Sequence, residues 1–266
     1  MSVLIDLEQY WNSGYSLLNI QLDDRLINDA LSELTGLYKY NSDNYNENNR
    51  IQNAWRYSDA VRSIACLDDV LKVCESVFGK PAFPFQTLNF EFGSQQRPHS
   101  DYVHFASSNV NGMCGVWFAL EDVTLENGPL VVYPGSHKLP SFWPEDLGLP
   151  ASPKSNPYAH YSDYEDAIKN IINDYDLRPE LICLKKGQGL IWHSNLLHGG
   201  SRISNTNLSR KSQVTHYFAT REVYFTPLTS SRSFSGRKYR MPIDVLRSRR
   251  GYTHISLLKL IKTLVD

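Results

Sequence analysis

The chain has 266 residues, 41% of them hydrophobic and 21% charged, a balance that suits a soluble globule with a full core and excludes a largely disordered chain. The formal net charge of −1 hides an uneven distribution: residues 221–266 hold ten Lys or Arg against three Asp or Glu, so the remainder is net negative. No uninterrupted apolar stretch is long enough to span a bilayer, the start Met1-Ser2-Val3-Leu4-Ile5-Asp6 lacks the basic and apolar segments of a leader, and Cys66, Cys74, Cys114 and Cys183 form no CxxC pair. A cytoplasmic location without a membrane partner is the expectation, with the thiols free and mostly buried.

In chain order, Asp23 or Asp24 is placed to cap a helix in which Leu26, Ala30 and Leu34 share one stripe, flanked by Ile27 and Leu31. The stretch Tyr40 to Asn53, rich in Asn, Asp and Tyr, reads as a loop. A second helix is predicted over Asp68 to Phe78, with Val70, Cys74, Val77 and Phe78 inward and Gly79 followed by Pro81 ending it. From Phe85 the texture changes to period-two alternation, and further short strands are predicted at Gly115 to Leu120, Leu130 to Tyr133, Leu181 to Leu184, Leu190 to Trp192 and Gln213 to Phe218. Asn127-Gly128 and Lys186-Gly187 read as reversals between hairpin-connected strands, which implies an antiparallel sheet. Between them Leu139 to Asp176 opens with prolines and closes with a helix whose capping box is Ser162-Asp163-Tyr164-Glu165, and it is long enough to be a lid at an active-site mouth. Helical periodicity returns over Ile255 to Val265.

Helices followed by a run of short strands with one helical insertion predict a mainly β fold, a double-stranded β-helix (jelly roll) flanked by helices. One domain is expected over 1–266: a helical N-terminal region at 1–84, a core at 85–220 carrying the insertion 139–176, and a basic extension at 221–266. The runs Arg237-Lys238-Tyr239-Arg240 and Arg247-Ser248-Arg249-Arg250 read as solvated basic surface, the alternative being attraction of an anionic substrate, a phosphate or nucleic acid. Nucleic acid is not expected as the partner, because basic runs alone do not make a recognition surface.

Two constellations carry chemistry. In His99-Ser100-Asp101 the imidazole and carboxylate stand two residues apart, which on extended backbone puts them on one face. With one more His from a facing strand they would form the facial triad that leaves three positions of an iron open for co-substrate and oxygen. The second constellation is His198-Gly199-Gly200-Ser201 followed by Arg210-Lys211-Ser212: the glycines allow close backbone approach, and a buried Arg suits a carboxylate. Strand alternation puts Arg210 and Ser212 on one face, where guanidinium and hydroxyl together can bind a carboxylate, while Arg202 is assigned to the connecting loop. His104, His137 and His193 compete as ligands. His193 is discounted because five residues along a strand from His198 put it on the opposite face, and His137 because Pro-Gly-Ser-His reads as a turn.

The ordered set resembles the phytanoyl-CoA dioxygenase family of Fe(II)- and 2-oxoglutarate-dependent oxygenases. The resemblance rests on Leu88-Asn89-Phe90 leading to His99-Ser100-Asp101, on Val116 to Val123, on Asn127-Gly128-Pro129-Leu130 with Pro134-Gly135-Ser136-His137, and on Leu197-His198-Gly199-Gly200-Ser201 followed by Arg210. Asn12-Ser13-Gly14-Tyr15 also resembles the family's amino-terminal strand, so the likeness runs to about Phe218 and leaves the basic tail outside. It implies Fe(II) on His99, Asp101 and His198, the distal carboxylate of the co-substrate 2-oxoglutarate on Arg210 with Ser212 beside it, Trp117 lining the co-substrate pocket, and molecular oxygen as second co-substrate. One departure is that the stretch from His198 to Arg210 is one residue longer than the familiar pattern. Asp101 argues against the related halogenases, in which a small residue replaces the carboxylate. The implied activity is hydroxylation of a small polar or anionic molecule in biosynthetic tailoring. Desaturation or epimerisation at the same centre, or a non-catalytic jelly-roll module that binds a carbohydrate or nucleotide, are the alternatives.

Overall fold

Helix α1 (Leu7–Ser13) starts where the Asp6 carboxylate accepts from Gln9 N at 2.9 Å, and it stops at Gly14, whose φ of 85° only glycine adopts without strain. Strand β1 (Tyr15–Leu17) follows. The computed structural model describes residues 3–40, 50–153, 155–233, 235–247 and 249–250, so the helix expected over Ile255 to Val265 lies outside the described residues. In α2 (Asp24–Tyr40) Asp23 is the cap, accepting from the N–H groups of Arg25 and Leu26 at 2.9 and 3.3 Å. Its buried stripe is Ile27, Ala30, Leu34 and Tyr38, so Ile27 replaces Leu26 at the centre and Leu26 moves to the flank. Helices α3 (Asp59–Ala65) and α4 (Asp68–Phe78) complete the layer, and α4 buries Val70, Cys74, Val77 and Phe78 and ends at Gly79 as expected.

The strands are β2 (Arg50–Gln52), β3 (Ala82–Phe90), β4 (Ala106–Ser107), β5 (Met113–Ala119), β6 (Leu130–Val132), β7 (Glu180–Ile182), β8 (Gly189–His193), β9 (His198–Gly200), β10 (Ser212–Ala219), β11 (Tyr224–Phe225) and β12 (Tyr239–Arg240), with helix α5 (Tyr161–Asp174) between β6 and β7. A six-stranded antiparallel sheet runs β1-β8-β5-β10-β3-β2, and a three-stranded sheet runs β7-β6-β9. On the outer face of the large sheet Cys114, Val116, Phe118, Ile191 and Tyr217 pack under the helices. On the inner face Leu88, Phe90, Trp117, Leu190, Trp192 and Val214 meet Val132 and Ile182 of the small sheet. Burying each large apolar side chain in this way contributes about 1.5 to 3 kcal/mol, which binds helices, large sheet and small sheet into one jelly roll. Among the described residues no helix is long and apolar enough to cross a membrane.

The structure differs from the sequence reading at four further points. Arg50 to Gln52, inside the expected loop, form an edge strand on β3, because a three-residue strand carries too little pattern to stand out from polar neighbours. The sheets are antiparallel, but Asn127-Gly128 joins β5 to β6 and Lys186-Gly187 joins β7 to β8, each pair lying in different sheets; turn chemistry specifies a reversal and not the pairing partner. Helix α5 begins at Tyr161 after His160, with no side-chain cap, so Ser162 and Glu165 sit inside the first turns and Glu165 faces Arg97 at 3.6 Å. The basic stretch does not lie only in solvent: β12 pairs with β11, Arg232 binds Asp146, and the backbone N–H of Val245 donates to Pro84 at 2.9 Å.

Two local devices aim residues at the interior. Pro84 cannot donate to the ladder, and the register of β3 against β10 slips between His216 and Tyr217, so that Gln86 pairs with His216 while Phe85 stacks on Phe218 at 4.0 Å. Gly199 permits residues 96–98 to lie against β9, since a Cβ there would meet Gln96 O at 2.7 Å and Arg97 C at 3.3 Å. Gly199→Ala is therefore expected to destabilise the fold by about 1 to 3 kcal/mol in chemical denaturation, the usual cost of forcing backbone apart. A variant within about 0.5 kcal/mol of the parent chain would contradict that reading.

Candidate metal centre

His99 and His198 are joined by a reciprocal pair of backbone hydrogen bonds, His99 N to His198 O at 3.0 Å and His198 N to His99 O at 2.9 Å. Directly opposed residues of an antiparallel pair present their side chains on the same face, and the two rings lie 4.6 Å apart. Asp101 opens a short 3₁₀ turn after an extended Ser100, so the strand alternation expected for His99 and Asp101 holds up to the residue that bends away. One ligand atom from each of His99, Asp101 and His198 lies within 4.8 Å of the others, and all three residues are buried.

The ring nitrogens are assigned by their partners. His99 Nδ1 lies 2.9 Å from Arg97 O, and His198 Nδ1 lies 3.0 Å from Leu196 O. A carbonyl can only accept, so each Nδ1 carries the proton and each Nε2 keeps a lone pair for a metal. Burial, and then the neighbouring His198, push the His99 imidazole down to about 3, so the ring is neutral at physiological pH. Burial alone would raise the Asp101 carboxyl, but His216 and then His198 beside it hold it far below the usual carboxylate range. Trp192 Nε1 donates to Asp101 Oδ2 at 2.8 Å, and His216 Nε2 lies 3.3 Å from the same oxygen. His216 in turn meets the side-chain amide of Gln86 at 3.0 Å. Two imidazoles with Nε2 turned inward and one anionic carboxylate, each held from behind, are the donor set of a facial iron site.

The three competing histidines take other places. His193 packs edge-on or tilted against Tyr10, Trp11 and His137, and its Nε2 meets Asn111 Oδ1 at 2.9 Å. It is kept from the triad by topology and not by alternation along one strand, because His193 ends β8 and His198 begins β9 in the other sheet. His137 lies in a short 3₁₀ turn against Trp11 O at 3.1 Å. His104 lines the same cavity but hydrogen-bonds Tyr161 at 3.1 Å.

The triad opens into a cavity of about 1090 Å³ that also exposes Arg210 and Trp117. The Arg210 guanidinium lies 5.4 Å from the Phe90 ring and 5.4 Å from the Trp117 ring, and its NH1 donates to Ser212 Oγ at 2.9 Å. Ser212 stands behind the guanidinium and off the cavity wall, so it holds Arg210 in place. Arg210 Nε and Trp117 Nε1 are buried donors with no partner among the described residues, the condition expected of groups built to meet a carboxylate. Burial pushes Arg210 down to about 10, which leaves it cationic at neutral pH. Arg202 is exposed in the loop, as assigned. From the insertion, Pro157, Tyr158, Tyr161, Ser162 and Glu165 reach the cavity.

A sequence profile described as Phytanoyl-CoA dioxygenase (PhyH) matches residues 29–212, more than half of the chain. The chain belongs to the phytanoyl-CoA dioxygenase family. The matched span takes in the triad, Arg210 and Ser212 and leaves Asn12 to Tyr15 outside. The peroxisomal phytanoyl-CoA dioxygenase of Bos taurus is 25% identical over 200 residues, covering 72% of this chain and 55% of that protein. The chain thus spans about half the length of that curated relative. Among solved structures, the α-ketoglutarate-dependent carbocyclase SnoK from nogalamycin biosynthesis superposes with a TM-score of 0.64 at 15% identity, covering 82% of this chain and 84% of that one. EctD from S. alaskensis, solved with 2-oxoglutarate and 5-hydroxyectoine and separately with bound Fe, gives 0.64 at 16% identity, covering 90% of this chain and 84% of that one. The donor set of His99, Asp101 and His198, with Arg210 lining the same cavity, is chemically suited to hold a divalent metal and a dicarboxylate.

Burial holds His99 and His193 down to about 3 and His104 down to about 4, against an ordinary value of 6.5. With folded values below the unfolded one, the unfolded chain takes up protons first, so stability is full above about pH 6.5 and falls as pH drops toward 4. The metal-free chain is expected to lose at least about 1 kcal/mol of unfolding free energy between about pH 7.5 and pH 5, with a shallower slope in His193→Gln. Equal stability at the two pH values would contradict the buried neutral imidazoles.

Proposed function

We propose that the chain is an Fe(II)- and 2-oxoglutarate-dependent oxygenase that hydroxylates a small polar or anionic molecule in biosynthetic tailoring, in the cytoplasm. The observation that carries this reading is the convergence of two Nε2 lone pairs and one carboxylate, each fixed by a hydrogen bond behind it, on a cavity that also holds an unpaired buried arginine. His99, Asp101 and His198 would hold the iron. Arg210, backed by Ser212, would take the distal carboxylate of 2-oxoglutarate, with Trp117 Nε1 as a further donor. Bound there, iron with 2-oxoglutarate and oxygen supplies an oxidant for a substrate C–H bond, with succinate and carbon dioxide as co-products.

The chain's own residues do the rest. Trp192 and His216 fix one carboxylate oxygen of Asp101, leaving Oδ1 for the metal. Apolar walls at Leu88, Phe90 and Val214 keep bulk water from the co-substrate end, and the insertion residues Tyr158 and Tyr161 close the opposite side. The same centre supports desaturation or epimerisation. A product one oxygen heavier than its substrate distinguishes hydroxylation from either. A ligand-binding module without catalysis has no use for two imidazoles and a carboxylate converging on one point beside an arginine in the same cavity.

His99→Ala, Asp101→Ala and His198→Ala are each expected to abolish iron-dependent succinate formation with the fold retained, whereas His193→Gln keeps it. In anaerobic titrations Arg210→Gln should raise the 2-oxoglutarate requirement at least about tenfold, equivalent to about 1.4 kcal/mol, with little effect on iron, and Arg202→Gln should be near normal. Iron retained in His198→Ala and lost in His193→Gln, or the Arg202 variant impaired beside a near-normal Arg210 variant, would overturn the assignment.

A further inference from the structure

The cavity wall carries three arginines, Arg50, Arg210 and Arg240, and two carboxylates, Asp101 and Glu165. Under the reading above, divalent iron, dianionic 2-oxoglutarate, Asp101 and Arg210 cancel to zero formal charge. Glu165 faces Arg97 at 3.6 Å, and Arg97 also pairs with Asp166, so this cluster keeps one negative charge. Set against it are two cations, Arg50 and Arg240, which leave the wall with net positive charge. Arg50 projects from the edge strand β2, and its buried Nε has no hydrogen-bond partner among the described residues. Arg240 comes from β12, spends one donor on His104 O at 2.7 Å and lies 4.6 Å over the Phe105 ring. Neither has a carboxylate partner among the described residues, and burial pushes Arg240 down to about 10, the mark of a charge kept from water without compensation. Both guanidinium groups line the cavity, and Arg240 is tied to its His104 end by the bond to His104 O.

We propose that Arg240 and Arg50 bind an oxyanion group of the substrate, a carboxylate or a phosphate, at the His104 end of the cavity. A guanidinium held largely from water without a counter-charge is costly, and an oxyanion that accepts from two of its donors offsets that cost in a way a neutral polar group does not. Phe105, Tyr158 and Tyr161 give the same end aromatic walls, so an anion carried on a compact ring or short chain fits better than one on a long aliphatic tail. The inference rests on the proposed function, because 2-oxoglutarate must already occupy Arg210 for the other two arginines to be left to the substrate.

The test uses the full chain loaded anaerobically with Fe(II) and 2-oxoglutarate and titrated by calorimetry with phenyl phosphate, with benzoate, and with neutral benzyl alcohol. One or both anions are expected to saturate a single site, with benzyl alcohol at least about tenfold weaker. Tighter phenyl phosphate points to a phosphate substrate and tighter benzoate to a carboxylate. Arg240→Gln and Arg50→Gln should each weaken the anion at least about tenfold, while Arg240→Lys recovers part of the loss, Arg202→Gln changes nothing, and the 2-oxoglutarate affinity of all four stays at the parent value. Neutral and anionic probes binding alike, no anion binding, or loss of 2-oxoglutarate together with the anion in the Arg240 and Arg50 variants would overturn the proposal. If the parent chain takes up neither iron nor 2-oxoglutarate, the proposed function fails, and the anion titration on the metal-free chain with the Arg240 variants still decides whether an oxyanion site exists.

Discussion

Everything in the candidate centre depends on the two backbone hydrogen bonds between His99 and His198. They join the segment after β3 to the first residue of β9, and so clamp the two sheets of the jelly roll together at the place where the ligands stand. Because the pair is directly opposed, the imidazoles share a face without help from side-chain packing, and each ring is then rotated into place by a carbonyl two residues away in sequence. Gly199 and Gly200 make the clamp possible: a Cβ on either would strike backbone of residues 95–97. The geometry of the candidate ligands is thus written mainly in main chain, which is stiff, and only that of Asp101 is written in side chains.

That last contact shows how the barrel's interior supports the site. Trp192 reaches Asp101 only because Gly115 on the neighbouring strand leaves room; a Cβ there would lie 2.4 Å from the indole ring. His216 reaches the same carboxylate from β10, held by Gln86 across the slipped register at Pro84. Fixing one carboxylate oxygen with two donors biases the other toward the metal and keeps the group ionised while buried. The same strand β10 continues back toward Arg210 and Ser212, so the two ends of the cavity are set by one rigid element.

Much of this was legible in the sequence, for identifiable reasons. The spacing of His99 and Asp101, the glycines after His198 and the alternation of Arg210 with Ser212 are local patterns, and each appears in the fold close to where the pattern put it. Helix α4 and the cap at Asp23 were legible because caps and periodicity are also local. Trp192, His216 and Gln86 were not, since what makes them functional is a partner about 90, 115 or 130 residues away in sequence, and no spacing rule links them. Arg240 was hidden for another reason: in a run of arginines, composition cannot tell the one that turns inward from those that stay in solvent. Ser212 was placed on the correct face, but alternation does not say whether a side chain lines a cavity or stands behind one that does.

The central claim is that iron is held by two imidazoles and one carboxylate, with His104 and His216 close by but not ligating. X-ray absorption on the anaerobic Fe(II)-loaded full chain tests it most directly, because imidazole rings scatter in a pattern that can be counted. The expected result is two imidazoles with the remaining donors oxygen, unchanged in His216→Gln and His104→Gln. A third imidazole in the parent chain that disappears in either variant would contradict the account.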